Sequence, residues 1–311
     1  NMINRILIRV KVVQAVYSYV VSGPDCKLIK AKNELQLSFE KSYELYMYLL
    51  KLIIELTDLQ DRAIDDARNK FLPSEEDLNP NTRFIDNWFV EQLRNNDVLN
   101  KCFNYKKVSW QDEIIFKRLM LDKIRHSDIY KDYMAMERTD NASDCELWRQ
   151  LLRHLILVDP DVADKLETMS LYWSVEDLET MGQFVIKTAK RFLDGLKDPI
   201  LPMYKDEEDS RFGDALLTQA INLMDESNEL IDSMIKSDRW DASRVALMDR
   251  LIMCVACAEL RGFESIPTTV TLNEYIELAK EFSTPNSGQF VNGILHSIVK
   301  HLRHKGVIVK P

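Results

Sequence analysis

The stretch from about Ala31 to Phe71 constrains this chain more than any other. It contains no proline or glycine, and its apolar residues fall at Leu35, Phe39, Tyr43, Tyr46, Leu49, Leu50, Ile53 and Leu56. That spacing is the one-sided stripe of an amphipathic α-helix and is incompatible with strand alternation. The same period recurs along the chain. Residues 3–21 place Ile6, Val10, Val13, Tyr17 and Val20 on one stripe, closed by the turn Ser22–Asp25. After an acidic break between Pro73 and Pro80, helices are expected at about 82–104, 109–135, 144–157, 160–171 and 174–196. Ser109 and Ser174 are the expected N-caps.

Residues 198–210, DPILPMYKDEEDS, combine two prolines with an acidic run and read as a linker. Helices are expected beyond it at Arg211–Lys236, Ser243–Leu260, Leu272–Phe282 and Ser287–Arg303. Thr271 and Glu274 have capping-box spacing for the third of these. Only Val307–Val309 leans towards strand. The fold class is therefore all-α. With 311 residues and roughly 150 residues per domain, two domains or one elongated one are expected.

Composition narrows the chemistry. Eight glycines leave little material for phosphate loops, and a net charge of -9 argues against a surface coated in basic patches. Five scattered cysteines do not form a disulfide framework, which points to a reducing compartment. No apolar run approaches the roughly 20 residues needed to span a bilayer. Arg5, Arg9 and Lys11 interrupt the apolar N-terminal segment as no signal peptide would be. A cytoplasmic location is expected.

Motifs for catalysis are missing. Cys254 and Cys257 have redox or zinc spacing, but they lie inside the apolar run LIMCVACAEL and read as small buried hydrophobes. Of His296, His301 and His304 only the last two share a face, and positive charge at a helix C-terminus explains them better than a metal. The acidic runs Asp61–Asp66, Glu75–Asp77 and Asp206–Asp209 read as solvated faces and loops. There is no nucleophile elbow, Gly-rich loop or H-E-x-x-H. No enzyme, cofactor, metal or small-molecule substrate is expected.

Two features point to binding. Arg5 and Arg9 are four residues apart and share a helix face, where they can engage adjacent phosphates or simply form a solvated polar face. The segment QFVNGIL, residues 289–295, places Asn-Gly, a hairpin signal, inside a helical stripe of Phe290, Val291, Ile294, Leu295, Ile298 and Val299. A helical glycine costs about 1 kcal/mol relative to alanine. Gly293 is therefore expected to face a neighbouring backbone, holding Asn292 rigidly at the surface.

Ile266-Pro267, LNEYIELAKEF at 272–282, the loop STPNSG and then QFVNGIL together resemble the transcription antitermination factor NusB family. The segment at 212–235 resembles the preceding family helix. Arg5–Val20, with VVQAVYSY at 12–19, resembles the first. The resemblance implies an all-α fold of two helical subdomains, with domains at 2–24, 25–205 and 206–311. The middle one matches nothing in the family and is a helical insertion or an extended N-terminal part; its sustained apolar stripe and few prolines or glycines outside the breaks predict that it is ordered and packed on the rest. It further implies binding of boxA-like ribosomal-RNA leaders, together with a small-subunit ribosomal protein, in an RNA polymerase antitermination complex away from any membrane. Carried over by residue, the RNA contacts would be Arg5, Arg9, Tyr17, Gln289, Phe290 and Asn292. Ile6 and Leu7 replace further arginines, Gln289 stands where relatives are often basic, and Asn286 where they are often acidic. The first helix and the QFVNGIL helix would adjoin as one RNA surface. The alternative is a scaffold of the same fold that no longer binds RNA.

Overall fold

The computed structural model describes residues 2–237 and 245–311. Among them every regular element is helical. In chain order these are α1 (Arg5–Val21), α2 (Leu28–Arg68), α3 (Glu75–Leu78), α4 (Trp88–Arg94), α5 (Asp97–Lys106), α6 (Ile114–His126), α7 (Asp128–Met134) and α8 (Asn141–Leu151). A π-helical turn (Leu152–Ile156) extends α8. Then follow α9 (Pro160–Met169), α10 (Val175–Leu193), α11 (Glu207–Asn222), α12 (Met224–Ser237), α13 (Leu247–Gly262), α14 (Thr268–Phe282) and α15 (Ser287–His304). No helix among the described residues is long and apolar enough to cross a membrane.

The chain divides into two compact units. One holds Ile3–Phe39 and Tyr204–Pro311, the other Glu40–Met203. Helix α2 contributes to both.

The first unit is built around α13. Its residues Leu251 to Leu260 are all buried, and α1, α11, α12, α14 and α15 pack around it. A helix apolar on every side must be enclosed on every side, and LIMCVACAEL meets that demand. Cys254 and Cys257 are fully buried there. Burial pushes the Cys254 thiol up to about 12, and raises that of Cys257 as well. Both therefore pack as hydrophobes.

The second unit has an aromatic core. Trp110 and Trp148 are fully buried. Trp110 stacks on Phe116 and donates its ring N–H to the Tyr48 carbonyl at 2.8 Å. Asp144 gathers two donors, the Trp88 amide at 2.8 Å and the Tyr133 hydroxyl at 2.6 Å. The buried Lys117 ammonium meets Glu55 at 3.0 Å, and Glu55 also accepts from the Trp110 amide.

Several local expectations change. Ser174 does close a capping box with Asp177 on α10. Ser109 does not cap a helix, because α6 begins only at Ile114 and the Ser109 hydroxyl accepts from the Gln111 amide. The helix expected at 82–104 is two, because the Asn96 side chain caps a new one. The helix expected at 211–236 starts at Glu207 and breaks at Leu223. The expected start at Ser243 lies outside the described residues. Thr271 lies within α14, which starts at Thr268 after Pro267, so it caps nothing. Val307–Val309 forms no strand.

Candidate functional site

The residues expected to meet RNA all lie in the first unit, on α1 and α15. Asn4 caps α1 by accepting from the Leu7 amide. The first residue of the helix, Arg5, donates to Asp209 at 2.8 Å and to Glu208 at 3.0 Å, and its guanidinium lies 4.8 Å from the Phe212 ring centre. Burial alone would lower the Arg5 pKa, but the hydrogen bonds to Asp209 and Glu208 outweigh it and raise the value. The acidic run expected to be a solvated loop is thus the first turn of α11, capped by Asp206 and paired with α1. Acids suit that position, where the helix dipole is positive.

Arg9 is 3% exposed. Its Nε donates to Glu259 Oε1 at 2.7 Å, and Glu259 is itself fully buried on α13. The same carboxylate accepts from Thr271 at 2.5 Å and from the Tyr275 hydroxyl at 3.2 Å. Burial first, then the Glu259 charge, holds the Tyr275 phenol well above its ordinary pKa, so it remains a donor. Arg9 is therefore a core ion-pair partner and presents no charge to a phosphate. This corrects the expectation drawn from its place on the α1 face. Sequence spacing put Arg5 and Arg9 on one face, but it could not reveal that an acid 250 residues later faces the second. Tyr17, by contrast, is 40% exposed.

On α15, Gln289 and Asn292 are exposed and Phe290 is half-buried. Gly293 is exposed as well, and a Cβ built on it would meet nothing within 4 Å. The expectation that it faces a neighbouring backbone is overturned. The closely packed glycine of this helix is Gly288, where a Cβ would come 2.8 Å from the Lys280 side chain. Asn292, Gly293, His296 and Lys300 are all exposed residues of α15, while Val291, Ile294, Leu295 and Ile298 are buried.

The two candidate helices are not close packing partners. The principal neighbours of α1 are α11 and α13, and those of α15 are α12, α13 and α14. Helix α13 is the element they share.

Comparison with known proteins adds the relationship. Residues 174–300 match the NusB family. The chain is 36% identical over 110 residues to the transcription antitermination protein NusB of Salinibacter ruber, covering 35% of this chain and 68% of that protein. It is 37% identical over 94 residues to that of Bacillus thuringiensis, covering 30% and 69%. This chain belongs to the NusB family. A third NusB, from Koribacter versatilis, is 40% identical over 83 residues, 26% of this chain and 57% of its own length. No solved structure gives a significant match. The NusB match begins at Ser174 and so includes α10, which the sequence alone left unaligned. Gln289, Phe290 and Asn292 fall inside the matched residues, whereas Arg5, Arg9 and Tyr17 fall outside them.

Proposed function

We propose that this chain is a non-enzymatic antitermination factor that binds boxA-like ribosomal-RNA transcripts with a small-subunit ribosomal protein, and that α15 carries the RNA contact. One observation carries this reading most directly. Gly293 sits in mid-helix beside Asn292, exposed, with no packing reason for lacking a side chain. A glycine that costs about 1 kcal/mol there keeps the surface flat so that a ligand backbone can come close to the Asn292 amide. An amide side chain can pair with a base edge through both its donor and its acceptor. Gln289 and the exposed part of Phe290 extend the contact, Tyr17 offers a second aromatic face, and Arg5, part-exposed and shared with Asp209 and Glu208, is the basic contributor from α1. Arg9 is left out.

The test uses opposite signs. Gly293→Gln should raise the thermal midpoint, since glutamine is the better helix former. The same change should weaken binding to boxA-like RNA. If binding is unaltered while the midpoint rises, the flat surface serves no ligand.

A scaffold without RNA binding is the second reading. Phe71 is 97% exposed and Leu72 83% exposed in the second unit, and both arginines of α1 are engaged internally. Such side chains suit a protein partner.

A further inference from the structure

A crevice of about 430 Å³ opens in the second unit between α2 and α5. That volume lies within the roughly 300–1,000 Å³ of small-ligand sites. Tyr43, Glu44 and Met47 line it from α2, and Lys101, Cys102 and Tyr105 from α5. Met47 is a buried floor, and the Tyr43 hydroxyl is tied to the Leu201 carbonyl at 2.9 Å, which fixes that ring. Tyr105 is different. It is 81% exposed, although a ring of that size normally buries most of its surface.

Charge is distributed unevenly around the opening. The α5 side reads KCFNYKK over residues 101–107, and none of its three lysines pairs with a carboxylate among the described residues. The dipole of α5 accounts for lysines at its C-terminal end. It does not account for Lys101, for the crevice, or for the exposed Tyr105 ring, whose one charged neighbour among the described residues is the Lys106 ammonium, 5.5 Å from the ring centre. The α2 side carries two carboxylates, Glu40 and Glu44, the second 3.4 Å from Lys41.

We infer that this crevice holds one unstacked base of a single-stranded RNA, with the flanking phosphates on Lys101 and Lys106. Single-strand binding sites join an aromatic face to a line of cations, and this is their composition. The base stacks on Tyr105 against the apolar wall. The Glu44 carboxylate accepts from an exocyclic amine and repels phosphate, so the base points inward and the backbone stays outside with the lysines. The contact lies outside the residues matched to the NusB family. It rests on the reading that this chain binds RNA.

The test uses the full chain and a single-stranded RNA carrying a boxA-like element with unpaired, 4-thiouridine-substituted flanks. Tyr105→Ala should weaken binding by at least about fivefold, the lower end of base–aromatic stacking, with an unchanged thermal midpoint because the ring is exposed. Tyr105→Phe should retain binding, since stacking needs no hydroxyl. Lys101→Gln with Lys106→Gln should reduce the salt slope by about 0.7 per lost phosphate contact. Photocrosslinks should map to residues 101–107. If RNA binds but Tyr105→Ala has no effect and no crosslink reaches this segment, the inference is overturned and the α15 reading survives. If crosslinks reach it while Asn292→Ala is silent, the inference holds and the α15 reading fails. If no RNA binds, both fail.

Discussion

At the residue scale, Arg9 and Gly293 exchanged the roles that their positions suggested. Arg9 looked like a surface cation and is a core group; Gly293 looked like a packing residue and is on the surface. Each has a direct consequence. Arg9→Gln strands the buried Glu259 carboxylate and should cost about 3 kcal/mol or more of stability in denaturant unfolding, as loss of one partner from a buried pair does. Arg5→Gln removes a part-exposed pair and should cost less than about 1 kcal/mol. Equal losses for the two would show that Thr271 and Tyr275 satisfy the Glu259 carboxylate without Arg9. Gly293→Ala should stabilise by up to about 1 kcal/mol, where a packed glycine would give destabilisation. The thiols supply a third check. Cys254 and Cys257 are fully buried, with thiol pKa values raised by burial, whereas Cys26 and Cys102 are half-exposed. Alkylation of the native protein near pH 8 should label Cys26 and Cys102 first, because the thiolate is the reactive form.

Elements were legible where a periodic stripe met no competing signal. The long helix α2 follows from a run without proline or glycine, α10 from the Ser174–Asp177 box, and α15 from a stripe that outweighed an Asn-Gly pair. Boundaries were less legible. Nothing in the sequence at Leu223 announces the break between α11 and α12, and the cap by Asn96 lies hidden inside an otherwise helical pattern. The candidate site was legible as a list of residues but not as a geometry. Pairings such as Arg9–Glu259 and Arg5–Asp209 join residues more than 200 positions apart, and periodicity carries no information at that range. The C-terminal stretch shows the same limit. It leans towards strand by composition, yet Lys310 is used as a cap. Its ammonium donates to the Phe263 carbonyl at 2.7 Å and to the Glu259 carbonyl at 3.4 Å, at the end of α13. Carbonyls at a helix end have no partner within the helix. Lys310→Met should therefore lower stability by about 1–2 kcal/mol, read as a fall in thermal midpoint; an unchanged midpoint would mean water replaces the ammonium without loss.

For the whole molecule, the family match and the architecture divide the chain differently. The match at 174–300 includes α10, which belongs to the second unit, and most of the first unit beyond α1 and the start of α2. The remainder of the second unit is helical, with its own aromatic core, and contains the crevice beside α5. A chain of net charge -9 cannot rely on long-range attraction to RNA, so the proposed function assigns recognition to local groups such as Asn292 and Gln289. The most direct measurement is binding of the full chain to boxA-like and scrambled single-stranded RNA, with and without the small-subunit ribosomal protein, across a range of salt concentrations. The expected result is tighter binding of the boxA-like RNA, enhanced by the ribosomal protein, with a shallow salt slope and a preference that Asn292→Ala erodes. Equal affinity for the two RNAs at every salt concentration, even with the ribosomal protein present, would contradict it.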